Sequence, residues 1–415
     1  MSGDEAVRAA ATRVARESYG KLVAFLAARD RDVAAAEDAL SDAFAAALQS
    51  WPATGVPENP EGWLVVAARR RLADHARRRQ TADAAEPALI ALTEELGDDE
   101  PFPDRRLALM FACAHPGLEE AARAPLMLQC ALGLDAAAIA SALLVSPAAM
   151  GQRLARAKAK IRLAGVPFRI PDPELWPERL DAVLQAIYAV FSHGWGAPPG
   201  DASDGRGFAE EAIWLGRVVV HSAPDDAEAK GLLALMLYAD SRRAARRDGA
   251  GRYVPLGEQD VARWAVAAID EAEGLLRAAS LKRRAGRFQI EAAIQSAHAA
   301  RRLTGATDWP AIAALYEGLL ALTGSRVVAV NRAVAIAEAE GAREGLRALE
   351  AAAQGGGLET FQAYWAARAE LEARLGLPEA DASYARAIGL EVDPAVRDFL
   401  TERRLRTASP PRAPR

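Results

Sequence analysis

The feature that most constrains this chain is a serine followed by a proline, Ser146-Pro147, set between two runs of helix-forming residues. A serine hydroxyl can accept from a backbone N–H left open in the first turn of a helix. Proline has no N–H to lose there and its φ is already helical, so the pair marks a helix start. Behind it, Met150, Leu154, Ala157 and Ile161 recur at helical spacing and predict one buried face. Ala149, Gln152, Arg153, Arg156 and Lys158 fall outside that apolar set. Ahead of it, Ala138-Ile139-Ala140 and Leu143-Leu144 predict a shorter helix, with Val145-Ser146 as the turn. Leu134 to Ile161 thus reads as a helix-turn-helix. Small residues early in the second helix allow close approach to a DNA major groove, where Gln and Arg can reach base edges. An ordinary helical hairpin with a solvated face would show the same local pattern.

The rest of the chain is equally biased toward helix. Ala, Leu, Arg and Glu dominate, and with 51% hydrophobic residues most of the 415 positions can be packed. The expectation is an all-α protein with almost no strand. Two cysteines, Cys113 and Cys130, make no disulfide framework, and five scattered histidines do not reach metal-ligand spacing, so no metal and no cofactor is expected. The stretch Ala136–Gln152 is too short and too interrupted to span a bilayer, and the acidic N-terminus lacks an apolar signal core. A cytoplasmic protein without membrane contact is expected. The formal charge of −5 argues against an all-round nucleic-acid coat, but two segments are locally basic. Arg69, Arg70, Arg71, Arg77, Arg78 and Arg79 face a single Asp74, and no acid interrupts Ser146 to Ile170.

Prolines and charge divide the chain. Residues 1–80 read as a helical unit, with a turn-rich break from Trp51-Pro52 to Pro60 ahead of a basic helix from about Glu61 to Arg79. Residues 81–103 form an acidic linker with one short helix around Leu89 to Leu96, and residues 104–170 a second helical unit. Residues 171–405 continue helix after helix, and 406–415 form a disordered tail. Gly341 and Gly376 open similar segments 35 residues apart, close to the ~34 of a tetratricopeptide (TPR) helical pair.

Residues 1–80 carry Ala36-Glu37-Asp38-Ala39, Ser41-Asp42-Ala43-Phe44, Trp51, Pro60, Trp63-Leu64, Ala67-Ala68-Arg69-Arg70, Asp74 and Arg77-Arg78-Arg79. This set resembles region 2 of the extracytoplasmic-function (ECF) sigma factors, and Ser146 to Lys158 resembles their region 4. The family often has Gln where Ser41 sits, Asn where Arg70 sits and Gly where Leu144 sits. Phe111 to Pro116, Leu232 to Leu237 and Asn331 to Val334 are similar to the subgroup with a TPR-like C-terminal extension. The resemblance implies a factor that brings RNA polymerase core to promoter DNA and has no catalytic residues of its own. Asp38, Ser41 and Asp42 would contact the clamp helices of the polymerase largest subunit. Arg70, Arg71, Asp74, His75 and Arg78 would take the −10 element. Ala149, Gln152, Arg153, Arg156 and Lys158 would read the −35 element. The alternative is a helix-turn-helix regulator that does not bind polymerase core.

Two further groupings need weighing. Cys113, His115 and Pro116 have no third ligand nearby and read as a packed helix start. Asp240, Arg243, Gln259, Asp260, Gln289 and His298 recur within apolar helices of the extension. They read as buried hydrogen-bonded pairs holding helices in register, or as a groove for a protein, peptide or small effector.

Overall fold

Helix follows helix through the computed structural model, which describes residues 3–79, 105–131, 133–142, 145–196 and 205–408. Among the described residues the only β pairing is an isolated bridge between Arg247 and Tyr253, and the fold is all-α. The acidic linker, its expected short helix and residues 409–415 lie outside the described residues. The rest fall into two compact units, Met1–Val218 and Val219–Arg415.

The first unit begins with α1 (Gly3–Glu17), α2 (Tyr19–Asp30), α3 (Val33–Thr54) and α4 (Pro60–Arg79) around a core holding Leu22, Val23, Leu40, Trp51 and Leu64. Asp32 starts α3 by accepting from the Ala35 N–H at 3.1 Å, as an N-cap carboxylate should. The helix then runs through Pro52 to Thr54, past the break expected at Trp51. Pro52 removes one N–H near the helix end, and the ladder still closes with Gly55 N–H on Trp51 O at 2.9 Å. Asn59 Oδ1 accepts from the Gly62 N–H at 2.9 Å and starts α4. Trp51 meets Trp63 edge-on at 5.5 Å, holding the two helices together across the turn.

Helices α5 (Arg106–Cys113), α6 (Glu120–Cys130), α7 (Ala136–Ala142) and α8 (Pro147–Ala164) complete the part that carries the helix-turn-helix. Helix α9 (Pro177–Gly196) packs back on α5 and α6, and Trp176 lies 4.8 Å from Phe111. On α10 (Gly205–Ser222), Glu211 forms an ion pair with Arg106, whose guanidinium lies 4.8 Å from the Trp214 ring. The first compact unit therefore runs past the prolines near residue 170. Apolar residues such as Val183, Leu184 and Ile187 are buried in it.

In the second unit each helix packs on the next: α11 (Ala227–Ser241), α12 (Val266–Ser280), α13 (Arg287–Ala299), α14 (Trp309–Thr323), α15 (Arg326–Ala339), α16 (Ala342–Ala353), α17 (Gln362–Arg374), α18 (Ala380–Leu390) and α19 (Pro394–Ala408). Helix α11 is apolar all round and buried from Gly231 to Tyr238, as expected of a helix enclosed by its neighbours. Close approach is built into the sequence. A Cβ on Gly345 would stand 2.3 Å from the Ala337 Cβ, so only glycine lets α15 and α16 pack this tightly. Gly341 and Gly376, the 35-residue pair, have φ of +116° and +69° and lie at the turns ahead of α16 and α18.

Candidate nucleic-acid interface

Helix α8 begins as its sequence requires, with Ser146 Oγ accepting from the Ala149 N–H at 3.2 Å and Pro147 in the first turn. Met150, Leu154, Ala157 and Ile161 are buried. That leaves Ala149, Gln152 and Arg156 exposed, and Arg153 half-exposed with Nη1 3.5 Å from Ala121 O. Arg156 Nε donates to Gln152 O at 3.4 Å within the helix, so its guanidinium tip stays available to an outside acceptor. Lys158 is different. It forms an ion pair with Glu37 of α3, with only 11% and 13% of the two side chains exposed. One turn on, Arg162 reaches Asp32 at 3.4 Å.

On α4, Arg70, Arg71 and Asp74 are exposed, while the neighbouring Arg69 lies over the Phe25 ring at 4.9 Å. The side chains of His75 and Arg78 lie outside the described residues. The foot of α4 is fixed by Glu61, which accepts from Ser18 Oγ at 2.5 Å and from Lys21 Nζ at 3.5 Å. Asp38, Ser41 and Asp42 follow the i, i+3, i+4 spacing that puts them on one face of α3, and all three are exposed. The structure thus presents an acidic edge on α3, a basic stretch on α4 and a polar face on α8, all in one unit.

Cys113 and Cys130 are fully buried. Burial, followed by the Glu37 carboxylate, pushes both thiols above the ordinary cysteine range. Such thiols stay protonated and unreactive. His115 Nδ1 accepts from the Gly117 N–H at 3.0 Å, in the turn that follows α5. Glu37, Asp32 and Arg162 were not singled out individually from the sequence, and nothing local to them foretells pairing across more than a hundred residues.

The polar residues of the second unit have separate partners. Asp240 Oδ1 accepts from Arg243 Nε at 2.7 Å. Gln289 Nε2 donates to Glu228 Oε1 at 3.0 Å and to Arg284 O at 2.7 Å. Glu228 also accepts from the backbone N–H groups of Phe288 and Gln289 at 2.9 and 3.2 Å, which makes it the cap of α13 from 60 residues away. Gln259 Nε2 donates to Val254 O at 3.3 Å, and Asp260 Oδ1 accepts from the Ala262 N–H at 2.9 Å. His298 stands edge-on to Trp309 at 5.3 Å. Burial, then the charges of Arg242 and Arg301, push His298 down to about 4, so it is neutral at pH 7.

Three stretches of the chain match known families. Residues 14–82 match the family described as Sigma-70 region 2, and residues 108–161 match Sigma-70, region 4. Residues 179–280 match a family of unknown function (DUF6596). An uncharacterized protein of Rhizobium meliloti (strain 1021) is 38% identical over 369 residues, covering 87% of each chain. No solved structure matches the chain.

Proposed function

Because the chain belongs to the sigma-70 family, whose members act in transcription initiation, we propose that it is an ECF-type factor that leads RNA polymerase core to promoters through two separate DNA contacts. The reading rests above all on α8. A capped helix of small residues, buried on one side, leaves Gln152 and Arg156 exposed on the other. In a major groove these side chains would read the −35 element, with Arg153 beside them. Arg70, Arg71 and Asp74 on α4, together with His75 and Arg78, would hold the −10 strand once it unpairs. Charge supplies affinity that falls with salt, while base-edge contacts supply discrimination. Capture of unpaired bases draws the closed complex toward the open one, and polymerase then carries out the chemistry. Asp38, Ser41 and Asp42 would meet the clamp helices of the largest subunit.

The helices from α11 to α19 would form a TPR-like stack acting on promoter output in cis, with a protein, peptide or small effector as its partner. The factor would work in the cytoplasm and would not itself be an enzyme. Run-off transcription with purified core polymerase, on promoters selected from genomic fragments, tests the reading. Initiation should depend on this chain and should be lost on Arg153→Ala/Arg156→Ala. Duplex binding without core binding would identify a helix-turn-helix regulator instead. Removing residues 174–415 should change promoter output, and identical output would end the role given to the extension.

A further inference from the structure

In the second unit, one partly buried cation lacks the partner its neighbours have. Arg243, next in the chain, donates to Asp240 at 2.7 Å, Arg247 pairs with Asp393, and Arg302 pairs with Asp270 at 2.9 Å. Arg242, just past the end of α11, meets no carboxylate among the described residues. Its Nη2 donates to Gln295 Oε1 at 2.6 Å and its Nε lies 3.4 Å from Tyr238 O, while Nη1 has no partner among those residues. Arg301, just past α13, lacks a carboxylate too. Its guanidinium lies over the Trp264 ring at 5.2 Å and donates to the carbonyls of Leu256, Gly257 and Gln259 at 3.1, 2.8 and 2.8 Å.

These cations bear on one another. Burial, then the charge of Arg246 and after it that of Arg301, push Arg242 down to about 10. The other ionisable groups acting on it are Tyr253 and Tyr316, and a phenol carries no charge at pH 7. Gln295 and His298 stand three residues apart on one face of α13; Gln295 bonds Arg242, and His298 feels both Arg242 and Arg301. A guanidinium withdrawn from water is costly, and buried charges are normally paired. The carbonyl end of α11 and the loop carbonyls on Arg301 offset part of this charge, but partial charges do not replace a carboxylate. A positive charge is left that neither side chain's own contacts answer.

We propose that Arg242 and Arg301, with Gln295 and His298 beside them, bind the oxyanion of a small effector, a carboxylate or a phosphate group. The proposal rests on the effector-binding role given above to the extension, and it names the charge of that effector. A guanidinium fork matches two oxygens of either group, and Nη1 of Arg242 is the donor left for it. Occupation ties the end of α11 to the segment just past α13, where Gln295 alone now links Arg242 to α13.

The test is calorimetric titration of the full chain with inorganic phosphate and, separately, with succinate, each against sodium chloride of equal ionic strength. At least one anion should bind, with a dissociation constant on the order of 1 mM. Which of the two binds more tightly tells a phosphate effector from a carboxylate one. The same anion should raise the temperature at which the second unit unfolds, because it binds only the folded form. Arg242→Lys keeps the charge but loses the fork, and should weaken binding by about tenfold. Arg242→Met should abolish it, with circular dichroism confirming that each variant is folded. Binding of neither anion to the wild-type chain overturns the site, and that result needs no variant. Binding that both substitutions leave unchanged overturns it as well, since the anion then sits elsewhere. These measurements use no polymerase and no promoter, so failure of the anion site and failure of the sigma-factor reading separate cleanly.

Discussion

Helices α8 and α13 both carry polar side chains among apolar ones, and they use them in opposite directions. On α8, Gln152 and Arg156 face solvent, with no partner on a neighbouring helix among the described residues. On α13, Gln289 bonds to Glu228 and Arg284, Ser296 Oγ donates to Glu273 at 2.6 Å, and His298 packs on Trp309. A polar residue in a helix is therefore not in itself a sign of a ligand. What separates the two cases is whether a neighbouring helix brings a complementary group. Where one does, the residue fixes register; where none does, it stays open to an outside partner, which under the proposed function is DNA. Of the six polar residues singled out in the extension, Gln289 and His298 meet groups from other helices, while Asp240 and Arg243 bond each other and the Gln259 and Asp260 side chains bond nearby backbone.

The comparison can be broken by mutation, and the largest effect should come from the buried side. Glu228→Ala takes the acceptor from two backbone N–H groups and from one of the two Gln289 amide donors, and should destabilise the second unit by about 4 kcal/mol in urea unfolding. Duplex binding by the first unit should survive. Next comes pH. His298 is held at about 4 against 6.5 for a free imidazole, so the unfolded chain takes up a proton that the folded chain refuses. Its contribution is complete above about pH 6.5 and is lost as the pH falls toward about 4, up to about 3 kcal/mol. His298→Gln should flatten that part of the stability profile, and an unchanged slope would show that His298 is not the group responsible.

On the exposed side, Arg156→Ala should weaken discrimination between a cognate duplex and a substituted one by about 2 kcal/mol. The melting temperature should not change, because Arg156 bonds only within α8 among the described residues. Ser146→Ala should cost about 1 kcal/mol through loss of the α8 cap. Hydrogen exchange should detect that loss as faster opening confined to the first turn. Equal stability losses from Arg156→Ala and Glu228→Ala would erase the distinction between the two helices.

Much of this molecule could be read from its residues in order. The start of α8, its buried face of Met150, Leu154, Ala157 and Ile161, and the basic helix α4 depend on interactions within about one turn, which spacing reveals. The 35-residue echo between Gly341 and Gly376 was also visible, since each sits at a turn that favours glycine. The helix through Pro52 was not, because it depended on whether the lost N–H fell in the last turns. The packing of α9 on α5 and α6 was not visible either, since prolines mark a bend in the chain and not which core the next helix joins.

The sequence by itself determined the all-helical class, the cap and orientation of α8, and which of its side chains point away from the core. Periodicity and capping are local, and the chain cannot avoid them. Only the tertiary structure decided that Lys158 would meet Glu37, that Glu228 would cap a helix 60 residues away, and that His298 would lose its proton among arginines. Those outcomes depend on which surfaces meet, and a charge carries no mark in the sequence of the partner that folding will bring to it.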